Sequence, residues 1–527
     1  MSDLNCTWTL VRFIGHRDRL RIVLWIASIV LLVAITAPAI RSLFPTQGDL
    51  DKAAVASAAN YAVIVFNGPV QGLATVGGEV AFQVGSIMLI MVALMSLLMV
   101  TRCTRAEEES GRTELLRATS LGRHAEIAAA LVVAAAMNLL IGGLIAAVLI
   151  GQRLPFAGSL MFGASSVALG MFFGAVALAS AQVTENSRVA SGLAGAVLGV
   201  AFMLRALGDI GDGRLSWLSP IGWSQKTRPF AGNQWWPLLI PLALTLVFLY
   251  MARTFGARRD IGAGLVQPRP GPARAPRNLG SPLGLAVRLQ RGTVLTWAVA
   301  MFILVVGFGS VANAISSFVG DSQSMKEIIA RMGGTTLVDA YLGTALFMMA
   351  IIAACYGIQS VQRLRSEETL LRTDQLLTTP TSRSAWVASH VTVALVGSVL
   401  VLVAAGLGAA APYAIVTHNA GQVPRIVAAM LIYLPAVWLL VGLATALFGL
   451  LPQAVGAAWA AMALYFMVGF FGDLLKVPTW LQNLSPFQQT PHLPAAPLIL
   501  LPLAIITLVG VGLLTTGMVA FHHRDIG

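Results

Sequence analysis

Twelve runs of roughly twenty apolar residues punctuate this chain, and nothing else in it limits the possible fold so strongly. A helix of that length spans the ~30 Å hydrocarbon core of a bilayer, where every backbone N–H and C=O must be satisfied within its own segment. The runs fall near 22–40, 80–101, 125–149, 155–181, 188–207, 237–255, 294–316, 340–361, 386–413, 425–450, 453–472 and 498–520. They predict an all-α, polytopic membrane protein of about 12 transmembrane helices. The remainder of the 527 residues lies in short pieces, so a fused soluble ATPase domain has no place to fold. Composition agrees, with 57% hydrophobic and only 11% charged residues against ~25% charged in soluble domains.

A net charge of +12 would suggest nucleic acid in a soluble protein. Here the basic residues sort by side instead. With the N-terminus inside, 23 of the 34 Lys and Arg fall on inner segments, as the positive-inside rule requires. The expected location is a bacterial inner (plasma) membrane with both termini cytoplasmic and no nucleic-acid partner. Cys6, Cys103 and Cys355 form neither a disulfide framework nor a metal-thiolate spacing.

The chain also repeats itself. Arg19 and Trp25 align with Arg291 and Trp297; RAEEESGRTE (105–114) aligns with RSEETLLRTD (365–374) at an offset of 260; WLSPIGW (217–223) recurs as NLSPFQQ (483–489); and RDIG at 259–262 returns at 524–527. Because the basic lead-in and first span recur mid-chain, the first apolar run is not a cleaved signal peptide, despite Ala37-Pro38-Ala39. Residues 1–262 and 285–527 read as two parallel six-span halves, joined by a Pro/Arg-rich inner linker at 263–284.

No phosphate loop, HExxH, Cys/His metal spacing or GxSxG elbow occurs, so neither a catalytic site nor a cofactor of its own is expected. Mid-membrane carboxylates, the usual stations of ion-coupled carriers, are nearly absent. Polar residues gather at the faces. The inner segment after the second span of each half, 102–123 and 363–383, carries Glu107, Glu108, Gly111 and Glu114, then Glu367, Glu368 and Asp374. A helix through Glu107 to Leu116 would hold its carboxylates on the solvated side and turn Leu115 and Leu116 inward. A lone charge run is usually a solvated loop, but two copies in the same topological place favour a docking surface. The lead-in at 8–21 alternates Trp8, Leu10, Val11, Phe13 and Ile14 with Arg12, Arg17, Arg19 and Arg21, which suits a helix lying on anionic membrane lipid. Gly170/Gly174 and Gly195/Gly199 match GxxxG and read as packing positions, while Glu79 and Asp339 read as helix caps.

These segments together resemble the permease subunits of type 2 ABC exporters, in particular the duplicated permeases of polyketide antibiotic exporters such as those for tetronasin. The resemblance covers essentially the whole chain. It implies that the acidic inner helix is a coupling helix seated in a separate ATPase subunit, that 8–21 is an elbow helix, and that the outer loops gate the path. The coupling role then passes to Glu107, Glu108, Gly111, Glu114, Glu367, Glu368 and Asp374. The second copy departs from the first where Leu371 replaces Gly111 and Thr369 replaces Glu109.

In the second span Met88, Met91, Met95 and Met99 recur on one helical stripe, and Met348 matches Met88 in the second half. Phe202-Met203 matches Phe466-Met467, with Phe470 and Phe471 added. Methionine fills irregular gaps in cores, yet it also accepts varied apolar shapes. Since the resemblance implies that spans two and five line the path, these residues are expected substrate contacts. The expected function is the permease of an ATP-driven exporter of hydrophobic or amphipathic antibiotics and drugs. Two copies of a partner ATPase would bind ATP and Mg. Two other readings stay open: an ABC exporter of a lipid or glycoconjugate, and a secondary carrier of the major-facilitator type.

Overall fold

In a computed structural model, residues 4–58, 61–117, 121–122, 124–210, 212–260, 262–266, 274–319, 337–471, 482 and 484–524 are described. Every regular element among the described residues is a helix, and the chain divides into two compact units, Met1–Pro270 and Gly271–Gly527. Among the described residues eleven helices are long and apolar enough to cross a membrane. The twelfth expected span is met by a shorter apolar stretch, Pro452–Val468. The protein is therefore a multi-pass, all-α membrane protein. Arg123, residues 267–273 of the linker, Asn483, the last three residues and the side chains of Leu116, Phe470 and Phe471 lie outside the description.

The first unit runs α1 (Thr7–Arg17), α2 (Arg19–Leu43), α3 (Gln47–Ala58), α4 (Tyr61–Asn67), α5 (Val76–Cys103), α6 (Arg105–Glu109), α7 (Arg112–Arg117), α8 (Ala125–Gly151), α9 (Phe156–Val183), α10 (Ser187–Ile210), α11 (Pro220–Gln225) and α12 (Leu239–Ala257). Thr75 starts α5 by accepting the Gly78 N–H at 3.0 Å, satisfying a donor that the helix itself cannot. The lead-in helix stops at Arg17, short of residue 21, because Asp18 leaves helical geometry and bends the chain into α2. Spans two and four, α5 and α9, are the most buried, and the others pack around them.

Small residues set those contacts. A side chain at Gly142 or Gly163 would strike the backbone of the other, and one at Gly170 would strike Asn138 and Val92. Such close approach substitutes for a hydrophobic driving force, which lipid does not provide. Asn138 meets Ser96 of α5 at 2.9 Å. Gly195 and Gly199 face open space, so only the Gly170 copy of GxxxG is a packing site within this unit.

The second unit runs α13 (Pro282–Val319), α14 (Leu337–Thr369), α15 (Arg372–Leu377), α16 (Arg383–Thr417), α17 (Gln422–Leu431), α18 (Leu434–Leu450), α19 (Ala457–Phe471) and α20 (Leu500–His523). Glycines again bring helices together, with Gly442 against Gly510 and Gly449 against Gly517 joining α18 to α20. Lead-in and first span merge here into one 38-residue helix. In the frame that aligns Arg19 with Arg291, uncharged Gln290 takes the place of Asp18 and sits buried 3.0 Å from His390 Nδ1.

Candidate coupling segments and lining residues

Each charged segment after span two is held by ion pairs that the repeat reproduces. Glu108 receives Arg105 at 2.8 Å, both terminal nitrogens of Arg259 at 2.6 and 2.9 Å, and the Gly262 backbone N–H at 2.8 Å. Arg105 in turn donates to the Gly262 and Ala263 carbonyls at 2.7 and 3.2 Å. In the second unit Glu368 is paired with Arg365 at 3.2 Å and with Arg524. Arg259 and Arg524 are the arginines of the two RDIG copies. Each therefore fastens the segment after span two to the chain just beyond the unit's last span. A forked guanidinium on a carboxylate gives directional as well as electrostatic attachment.

The neighbouring glutamates also match. Glu107 lies 2.8 Å from Arg17 and 3.6 Å from Arg112, while Glu367 lies 2.7 Å from Arg363 and 3.7 Å from Arg372. In both copies the second arginine reaches back across a tight turn. At that turn Gly111 has φ +73°, and its counterpart Leu371 has φ +56°. The turn breaks the continuous helix expected through Leu116 into α6 and α7. It also reverses the expected facing: Leu115 is 75% exposed. Glu107 and Glu108 are largely covered by their partners, as are Glu367 and Glu368, whereas Glu114 and Asp374 stand exposed on α7 and α15.

Asp18 organises the end of the first unit that carries the charged segment. It takes Arg17 and Arg102 at 2.8 and 2.9 Å and Arg21 at 3.5 Å. Burial pushes its carboxyl up, but hydrogen bonds from Arg17 and Arg102 outweigh that and hold it below the ordinary carboxylate range. Through Arg17 the lead-in helix is thus tied to Glu107. In the second unit Gln290 also accepts the Ser360 hydroxyl, so a neutral network occupies that place.

The methionine stripe divides. Met88, Met95 and Met99 are enclosed within the first unit's core, where they fill space between helices; Met91 alone is half-buried. With Ile87, Leu94 and Leu98 it forms the less covered strip of α5, one position round from the expected stripe. Met348 is half-buried on α14, and Gln359, about three turns further along the same helix, is exposed. Phe202 is held under the Arg205 guanidinium, 4.7 Å away, and Met203, Phe466 and Met467 are exposed within their own units. Arg205 itself is buried, pairs with Asp209 at 3.5 Å and donates to the Ile64 and Phe66 carbonyls. At the same end Ser219 of the WLSPIGW segment caps α11 and donates to the Ala201 carbonyl. Glu79 and Asp339 lie in the first turns of α5 and α14, where Glu79 accepts from Gln83 behind the Thr75 cap and Asp339 pairs with Arg425 at 2.9 Å.

The RDIG arginines were visible as a repeat, but their role was not. The signal was available, since an identical arginine-bearing tetrapeptide closes both halves and an acidic pair recurs within both. No group of three or more metal-ligating side chains occurs among the described residues.

The family model described as the C-terminal domain of multidrug efflux system permease Rv1217c matches this chain twice, over residues 13–255 and 279–522. The chain is 37% identical over 528 positions to the Mycobacterium tuberculosis protein named multidrug efflux system permease protein Rv1217c, covering 100% of this chain and 96% of that one. The two matches coincide with the repeat read from residues and with a fold that places equivalent ion pairs in each half.

Proposed function

The chain belongs to the multidrug efflux system permease family represented by Rv1217c, and on that premise we propose that it is the membrane subunit of an ATP-driven exporter of hydrophobic and amphipathic compounds. Two copies of a separately encoded ATPase bind at the two charged segments, one per half. They supply ATP and Mg, and this chain contributes no covalent chemistry. The observation that carries the reading is the paired attachment of Glu108 to Arg259 and of Glu368 to Arg524. A force on either charged segment is delivered through a buried ion pair to the end of that unit's last span, as a lever needs. The surfaces offered to the ATPase are α7 and α15, with Glu114, Leu115 and Asp374 outermost. Glu107, Glu108, Gly111, Glu367 and Glu368 hold the segments in shape from behind. Termini and charged segments lie on the cytoplasmic side of the inner membrane, where most Arg falls.

The path runs along the less covered strips of spans two and five: Met91, Met348, Met203, Phe466 and Met467. Their apolar, adaptable side chains suit bulky compounds of varied shape. The test is to co-express the chain with its separately encoded ATPase and weigh the solubilised complex while measuring efflux of unrelated hydrophobic dyes. One permease with two ATPases and ATP-dependent efflux are expected; two permease chains per complex, or efflux without ATPase, would overturn the reading.

A further inference from the structure

The first unit carries a basic groove that its repeat does not share. It measures about 570 Å³ and opens between α2, α5 and α10, at the same end as the charged segment. Arg21, Arg102 and Arg188 line it, and Trp25, Leu98 and Met99 form an apolar wall leading into the spans. Arg102 spends only its Nε on Asp18, leaving its two terminal nitrogens to donate elsewhere. Arg188 is exposed, and among the described residues its guanidinium meets no acceptor. The hydroxyls of Ser187 and Ser191 add further donors.

The carboxylates nearby are already engaged. Asp18 is shared by Arg17, Arg21 and Arg102, and Glu107 by Arg17 and Arg112. Glu109 accepts the Ser187 N–H at 2.9 Å and Asn186 at 3.4 Å. Even with the exposed Glu185 beside Ser187 counted, five arginines face four carboxylates, and the surplus positive charge lies at the groove.

The repeat acts as an internal control. In the frames already established, Arg21 falls on Thr293, Arg102 on Gln362 and, in the frame of Phe202-Met203, Arg188 on Pro452. All three counterparts are uncharged, although Trp25 keeps its counterpart Trp297, which donates to Gln359 at 2.6 Å. Charges present only to orient the spans would not converge on one groove of one half.

We propose that this groove binds one anionic phospholipid of the inner leaflet, with its phosphate among the three guanidiniums and an acyl chain along Trp25 and Leu98. Guanidinium groups match phosphate oxygens in pairs, and basic pockets between spans on the cytoplasmic side recognise anionic headgroups. From the export reading the proposal takes only the placement of this end at the inner leaflet.

Native mass spectrometry of the full chain, offered phosphatidylglycerol or phosphatidylcholine, tests it. One tightly retained phosphatidylglycerol is expected. Arg188→Gln should weaken retention about fivefold. Changing Arg21, Arg102 and Arg188 together to Gln should abolish the preference, whereas Arg288→Gln with Arg291→Gln in the second unit should leave it intact. Among the described residues the Arg188 guanidinium contacts no acceptor, so Arg188→Gln decides the matter even if the triple variant does not fold. Equal retention of the two lipids, an unaffected Arg188→Gln, or displacement by millimolar inorganic phosphate would overturn the proposal. None of these outcomes involves transport, so each leaves the export reading standing.

Discussion

The two charged segments keep the same ion pairs on different backbones. In the first unit the span ends at Cys103, the chain breaks at Thr104, and the short α6 carries Glu107 and Glu108 into a glycine turn. In the second, α14 runs unbroken from the membrane through Glu367 and Glu368 to Thr369, and a leucine makes the same left-handed turn. What persists is the arginine behind each glutamate; what has drifted is the scaffold around it. That pattern marks the ion pairs as the element under constraint, and it makes the second segment a direct extension of its span while the first is hinged.

The sharpest way to break this comparison is to remove the shared part. Replacing Arg259 by Ala leaves the covered Glu108 without its forked partner, and breaking such a pair costs about 3 kcal/mol. Thermal unfolding of the purified chain should register that loss, and the Glu108→Arg/Arg259→Glu exchange should recover part of it. Arg524→Ala should cost a similar amount through Glu368. If one arginine proved silent, the two attachments would not be equivalent.

The turn comes next in size. A leucine in left-handed geometry is strained by roughly 1–2 kcal/mol relative to a glycine there, partly offset by the glycine's greater freedom when unfolded. Gly111→Leu should therefore destabilise by about 1 kcal/mol, and Leu371→Gly should stabilise slightly. Unfolding midpoints of the two variants should move in opposite directions; a shift in the same direction would mean that the turns differ after all.

Smaller still is the effect expected at the exposed tips. Glu114→Lys and Asp374→Lys touch nothing buried, so stability should hold within about 0.5 kcal/mol. ATPase binding should weaken about fivefold, the size of an exposed interfacial charge contact. Titrating the partner ATPase onto each variant separates the two halves, and unchanged affinity in both would remove α7 and α15 from the interface.

The least effect is in pH. Asp18 is held below the ordinary carboxylate range, so its contribution is complete above about pH 4 and fades only as pH falls through its lower folded value. Gln290 has nothing to titrate. Hydrogen exchange around residues 17–21 should thus be flat from pH 7 to about 5 and rise only in stronger acid.

Spans, duplication and the acidic segments were legible because each is written along the chain: an apolar run long enough for a bilayer needs no partner to be read, and a repeat is found by alignment. Even the shared RDIG could be seen. What linear order could not supply was the partner of each charge. Glu108 and Arg259 are separated by 151 positions, and Glu368 and Arg524 by 156. Their meeting depends on which way two helix ends point. The methionine stripe shows the same limit: its spacing placed four side chains on one side of α5, but a helix buried among several neighbours has no single interior side. Only the packing of α8, α9 and α10 around it decided that Met88, Met95 and Met99 fill the core while Met91 lies half-open. Hydropathy and repetition are properties of a segment, whereas facing and pairing follow from rotations of about 100° per residue that tertiary contacts alone determine.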